Sequence, residues 1–156
     1  MAYCAGQVRR HDHERYLTAL FAPARRRPAI LALYAFNLEV ARIREAVSEP
    51  LLGRVRLQWW RDAIGAVYDR GNPPRHPVLE ALAPAVHAHH LSREHFDRLL
   101  DAREHDLDEV PPPDLRALMA YAEATSGGLG MLVMEALGHP GGAARAAASE
   151  VGTAWA

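Results

Sequence analysis

Apolar positions in this chain recur mostly three and four residues apart, and no run alternates long enough to make a strand, so the pattern predicts an all-α protein. A first helix opens at Asp12, whose carboxylate suits an N-cap, runs through Tyr16, Leu17, Leu20 and Phe21, and is ended by Pro23. A second begins at Pro28, where a missing N–H costs little, and is expected to reach about Val47. With Leu31, Leu33, Tyr34, Phe36 and Val40 it is apolar on most faces and is expected at the centre. A third, capped by Ser48 with Pro50 in its first turn, carries Leu51, Val55, Leu57, Trp59, Trp60, Ile64, Val67 and Tyr68 until Gly71 closes it. Trp59 and Trp60 lie about 100° apart on such a helix, so one belongs in the core and the other over a groove or a partner. Further helices are expected over 77–90, 92–108 and 114–137, the prolines at 111–113 separating the last two. A last, alanine-rich helix is expected from Ala143 to Ala156, where no residue supplies an ending, so the pattern reads as cut in mid-helix.

Length and charge narrow the function classes. The chain has 156 residues, enough for one domain with a sizeable core, and 1–156 is expected to be a single, incomplete helical domain. A net charge of −1 gives no global field toward nucleic acid, which is not expected as a partner. Every basic residue is arginine and none is lysine, which reads as GC-rich codon usage. One cysteine, Cys4, cannot close an internal disulfide, and the polar N-terminus has no apolar signal core, so a cytoplasmic protein is expected. No apolar run reaches the roughly 20 residues needed to span a bilayer, so any membrane contact is expected to be peripheral.

Four motifs in order carry a family resemblance. They are Arg-Tyr-Leu at 15–17 with Leu-Phe-Ala-Pro at 20–23, Arg27 with Ala-Leu-Tyr-Ala-Phe at 32–36, Arg-Leu-Gln-Trp-Trp-Arg at 56–61, and Asp106-Leu107 followed by Tyr-Ala-Glu-Ala-Thr-Ser-Gly-Gly-Leu-Gly at 121–130. Together they resemble the squalene/phytoene synthase family, which implies an isoprenoid-synthase-type helical bundle and head-to-head joining of two prenyl diphosphates. Ionising an allylic diphosphate needs Mg²⁺ held by carboxylate oxygens, with arginine forks on the phosphates. In register with the resemblance, the family's aspartate positions fall at Ala41, Arg42 and Glu45, and its preceding arginine at Leu38. Only Glu45 can still coordinate a metal, so Mg²⁺ is expected only if the chain is active. Asn37 and Glu39 are polar but lie elsewhere on the helical wheel.

Arg42 therefore has two readings: direct binding of an anion such as a phosphate headgroup, or an internal ion pair with Glu39, Glu45 or Glu49. A preserved scaffold with a degraded first motif resembles the branch of the family related to a respiratory complex I assembly factor. Phe-Ala-Pro-Ala at 21–24, Tyr-Ala-Phe-Asn-Leu-Glu at 34–39, Ser-Glu-Pro at 48–50 and the Arg-Leu-Gln-Trp-Trp-Arg-Asp of 56–62 fit that branch. What the resemblance implies is a protein that binds a prenyl diphosphate or lipid-like ligand, or assists respiratory-complex assembly, without catalysis. The alternative is a Mg²⁺-dependent prenyltransferase. A protein partner or a second copy is expected to cover exposed apolar faces.

The candidate pocket residues are Tyr34, Asn37, Arg42, Asp106, Tyr121 and Gly127, with Glu45 as the metal candidate. Tyr34 and Tyr121 match pocket positions of the family but also suit a core with satisfied hydroxyls. Asp106 matches a position near the diphosphate site or is an exposed acid near a helix end. Gly127, Gly128 and Gly130 cost about 1 kcal/mol each inside a helix, which close helix approach, room for a prenyl chain or a helix break would explain. Asp101 and His105, four apart, can share a metal, but the histidine set, His87, His89, His90, His95 and His105, reads better as solvated or dipole-complementing groups.

Overall fold

The described residues of a computed structural model, 2–108, 110–139 and 142–155, form helices and turns with no strand among them. Asp12 caps α2 (His13–Leu20) as its position predicts, accepting from the Arg15 N–H at 3.1 Å. Ahead of it stands a helix that the sequence pattern does not announce, α1 (Ala2–His11), which buries only Cys4 and Val8. Two apolar residues one turn apart anchor it against the next long helix.

That helix is α3 (Arg27–Ala41), and it is the hub. Ala29, Ile30, Leu31, Ala32, Leu33, Ala35, Phe36, Asn37 and Val40 are all buried, so every face meets a neighbour, as its apolar wheel predicts. It packs against α1, α2, α5 (Pro77–His89) and α8 (Gly128–Leu137). Phe36 sits edge-on to Trp60 of α4 (Pro50–Tyr68), ring centres 5.4 Å apart, and to Phe96 of α6 (Arg93–Glu104) at 5.3 Å. Trp60 is buried while Trp59 remains 37% exposed, which divides the pair as helical geometry requires. The N-cap of α4 is Glu49, not Ser48, and no side chain caps it; Pro50 in the first turn removes one of the N–H groups that would need a partner.

Beyond α6 the chain makes a short 3₁₀ turn (His105–Leu107), then α7 (Leu115–Ala122), capped by Asp114 on the Ala117 N–H at 2.7 Å. The helix expected over 114–137 is continuous but not uniform. A π turn (Glu123–Gly127) joins α7 to α8, with Thr125 Oγ1 donating to the Tyr121 carbonyl at 2.8 Å. The last helix, α9 (Ala143–Ala154), lies against the π turn and α8. Ala156, where the sequence pattern carries that helix, is outside the described residues. No helix among the described residues is long and apolar enough to cross a membrane.

Candidate functional site

The expected run of α3 to Val47 is not observed: the helix ends at Ala41, and Arg42 is its C-cap. Ile43 N–H bonds back only to Val40 O and Ala46 N–H to Arg42 O and Ile43 O, so 42–46 is a string of turns with no glycine or proline to signal the stop. Ala41, Arg42 and Glu45 consequently do not share one helical stripe. Arg42 lines a groove of about 340 Å³ between the end of α3 and α4, with Glu39, Arg56, Trp59, Trp60 and His76. Neither Arg42 nor Arg56 makes an ion pair with a described residue, so the internal pair weighed for Arg42 does not form. Glu39 instead accepts the Tyr3 hydroxyl at 3.1 Å. Glu45 is exposed beyond the helix end, and among the described residues no three His, Cys, Asp or Glu side chains stand close enough together to hold a metal ion.

Tyr34 and Asn37 lie one turn back on α3. Asn37 is buried in the hub. Tyr34 is half-buried and turned toward α2: burial raises its pKa, with Thr18 hydrogen bonding and Arg15 opposing. Neither lines the Arg42 groove.

Asp106 and Tyr121 come together elsewhere, around a residue that the sequence reading did not select. Arg103 donates to Asp106 Oδ2 at 3.1 Å and to the Tyr121 hydroxyl at 2.6 Å, and its guanidinium lies 5.6 Å from the Tyr121 ring centre. Burial, opposed first by the Arg103 charge, pushes the Tyr121 pKa up to about 12. Arg103 Nε is buried without a hydrogen-bond partner among the described residues. Arg103 was hidden among many arginines, but its spacing of three from Asp106 on a helix was the available signal.

Gly127 lines a third region, a cleft of about 400 Å³ whose walls include His95, Arg98, Glu123, Arg145 and Ser149. Its neighbours explain the glycines by close approach: a Cβ on Gly130 would stand 2.6 Å from the Ala148 carbonyl oxygen, and one on Gly127 3.0 Å from Thr153 Oγ1. The helix does not break there. Nearby, Glu135 is buried and accepts from Ser92 N–H at 2.8 Å and Ser92 Oγ at 2.6 Å, which fastens the start of α6 to α8. Burial holds the His95 pKa below its usual range, with Glu135 opposing.

Of the acids and histidines considered for a metal, Asp101, Asp106 and His89 are otherwise engaged. Asp101 and Glu104 accept from Arg61 at 2.9 and 2.8 Å, Asp108 pairs with Arg54, and His89 Nδ1 lies 2.6 Å from Arg26 Nη1. Burial, then the Arg26 charge, lowers the His89 pKa. The Arg61 pairs tie α4 to α6 and the Arg54 pair ties α4 to the turn after α6, each worth about 0–1 kcal/mol at the surface.

Comparisons with known proteins agree with the geometry. The squalene/phytoene synthase family model matches residues 8–156. The NADH dehydrogenase (ubiquinone) complex I, assembly factor 6 of Homo sapiens is 38% identical over 152 residues, covering 97% of this chain and 45% of that protein. The presqualene diphosphate synthase of Rhodopseudomonas palustris is 32% identical over 127 residues, covering 80% of this chain and 44% of that one. The crystal structure of a dehydrosqualene synthase in complex with ligand superposes with a TM-score of 0.82 at 19% identity, over 98% of this chain and 52% of that one, which establishes the fold. The chain thus spans about half the length of the relatives it matches. With the ordered motifs, the all-helical architecture and a family match over nearly every residue in agreement, the chain belongs to the squalene/phytoene synthase family.

Proposed function

We propose that this chain acts without catalysis, binding a prenyl or lipid-like ligand in a respiratory-complex assembly role, and does not join prenyl diphosphates. The observation that carries this reading is Arg42. Where the resemblance expects carboxylates, the chain has Ala41 with no donor, Arg42 with a fixed positive charge and Glu45 alone. A single carboxylate beside a guanidinium does not fit a Mg²⁺ site, because the cation repels the metal and too few hard oxygens remain. Arg42 also has no ion-pair partner among the described residues and faces a groove, which favours contact with an anion over a purely structural role. Identity to proteins named as complex I assembly factors, over 97% of the chain, points the same way. One cysteine without a partner accords with a cytoplasmic, reducing setting.

The second reading, a Mg²⁺-dependent prenyltransferase, is favoured by the identity to presqualene diphosphate synthases. Incubation with farnesyl diphosphate and Mg²⁺, followed for diphosphate release and for a condensed product, separates the two. The expected result is no turnover, with calorimetric binding of farnesyl diphosphate the same with and without Mg²⁺. Product formation, or binding that requires the metal, would overturn the proposal.

A further inference from the structure

Leu51, Leu52, Val55 and Trp59 stand 64%, 49%, 60% and 37% exposed along α4. At about 100° per residue they fall within one arc of about 100°, so they form a continuous apolar stripe on the first half of the helix. The core-facing side of α4 is a different one, carrying Gly53, Leu57, Trp60, Ile64 and Val67. A stripe of this kind lies against something apolar, and its margins indicate what.

On one margin Arg56 follows Val55 round the helix and enters the groove, where Arg42 of α3 and His76 at the start of α5 meet it. Neither arginine has an ion-pair partner among the described residues. His76 Nδ1 accepts from the Val78 N–H at 3.3 Å, so the neutral ring carries its proton on Nε2. That ring packs edge-on against Trp59 and Trp60, with centres 5.7 and 5.1 Å apart. The carboxylate in the wall, Glu39, accepts from the Tyr3 hydroxyl and keeps its negative charge. On the other margin Gln58 donates to Asp62 at 2.8 Å and Arg54 pairs with Asp108. The stripe therefore has a self-satisfied polar flank on one side and, on the other, two arginines against one carboxylate, a net positive charge.

We propose that this face of α4 docks on an anionic phospholipid bilayer, the four apolar side chains entering the boundary between headgroups and acyl chains while Arg42 and Arg56 bind lipid phosphates. Arginine forks match phosphate oxygens, and tryptophan favours the level of the headgroups. A convex ridge on one helix also suits a deformable surface better than a rigid partner, which would need a matching concavity. The exposed stripe of α7, with Leu115, Leu118 and Met119, lacks this margin: Asp114 and Glu123 stand at its two ends. The inference is independent of whether the chain is catalytic.

Cosedimentation of the protein with phosphatidylcholine vesicles, with and without phosphatidylglycerol, is the test. Binding is expected only to the anionic vesicles and is expected to weaken as salt is raised. Arg42→Ala and Arg56→Ala should each weaken it on the order of fivefold, and the double change Leu51→Ser with Val55→Ser should abolish it. All four positions are exposed, so unchanged thermal melts will show that the fold is intact. Equal binding to neutral vesicles, no binding to either, or binding unaffected by these variants would overturn the proposal. Calorimetry with inorganic diphosphate forms the second arm: binding lost in the arginine variants, in a protein that ignores vesicles, would assign the groove to a soluble phosphate compound instead. Self-association abolished by Val55→Ser, again without vesicle binding, would assign the stripe to a second copy of the chain.

Discussion

Where α9 crosses the π turn and α8, the backbones nearly touch: Gly130 faces the Ala148 carbonyl, and a Cβ on Gly152 would fall inside contact distance of the Ser126 carbonyl. Where α3 ends beside α4, the facing residues are Arg42, Arg56, Trp59 and Trp60, and a groove of about 340 Å³ stays open. Both are junctions between helices of one bundle, and side-chain size and charge separate them. Glycine lets the backbones close up at Gly130 and Gly152, and the cleft of about 400 Å³ lies beside that contact, not across it. Guanidinium and indole groups hold backbones apart and line the space with groups that bind.

The comparison breaks first if the floor of the groove gives way. Phe36→Ala removes the ring that Trp60 and Phe96 both pack on, and should cost about 3–5 kcal/mol in denaturant unfolding, with the groove losing its shape. A smaller cost at that position would mean that α4 is held mainly by α5 and α6. At the closed junction, Gly130→Ala puts a methyl against a carbonyl that cannot move far, and an overpacking loss of about 1–3 kcal/mol is expected. Gly6→Ala is the control in α1: nothing lies within 4 Å, and the change should stabilise by about 0.5–1 kcal/mol.

Acid sharpens the contrast because His95 lies beside the closed junction and its burial outweighs the carboxylates near it. It faces Glu135, Arg145, Glu94 and Arg98, and burial outweighs the carboxylates to lower its pKa from 6.5. The unfolded chain then binds more protons than the folded one between the lowered value and 6.5, so stability is intact above 6.5 and falls as pH drops through it. Thermal melts from pH 7 to 5 should show this decline, and His95→Gln should flatten it. The smallest effect belongs to the open side. Arg42→Ala and Arg56→Ala should change unfolding stability by less than about 0.5 kcal/mol, because neither side chain has an ion-pair partner to lose among the described residues. A larger change would mean that the groove is a structural contact and not a binding surface.

Much of the fold was legible because local signals and packing agree. Asp12 and Asp114 are caps in sequence and in space, and the all-round apolar wheel of α3 could only belong at the centre. Elsewhere the deciding forces are not local. The first helix buries two residues, too few to show a period. The stop after Ala41 is made by turn hydrogen bonds among residues that would serve equally well in a helix. For the site, the substitution of Arg42 for a family carboxylate could be read directly, since register along one segment is sequence information. Its companions Arg56 and His76 come from two other elements, and Arg103 joins Asp106 to Tyr121 only through the meeting of α6 with α7. Such groupings depend on packing between elements, which one chain without an alignment does not encode in any short window.

The π turn at Glu123–Gly127 acts on the bundle as a phase shift. One residue more than an α turn holds rotates everything after it by about 100° while the axis continues without a break. Tyr121 before the turn and Gly130 after it are therefore set at a relative angle that an unbroken helix of the same sequence cannot offer. A single rod is thereby timed to two neighbours, presenting a hydroxyl to Arg103 on α6 and a bare backbone to α9. Deleting one residue inside the turn is the smallest lesion that would bring the rod back into step and turn its glycine seat away from α9.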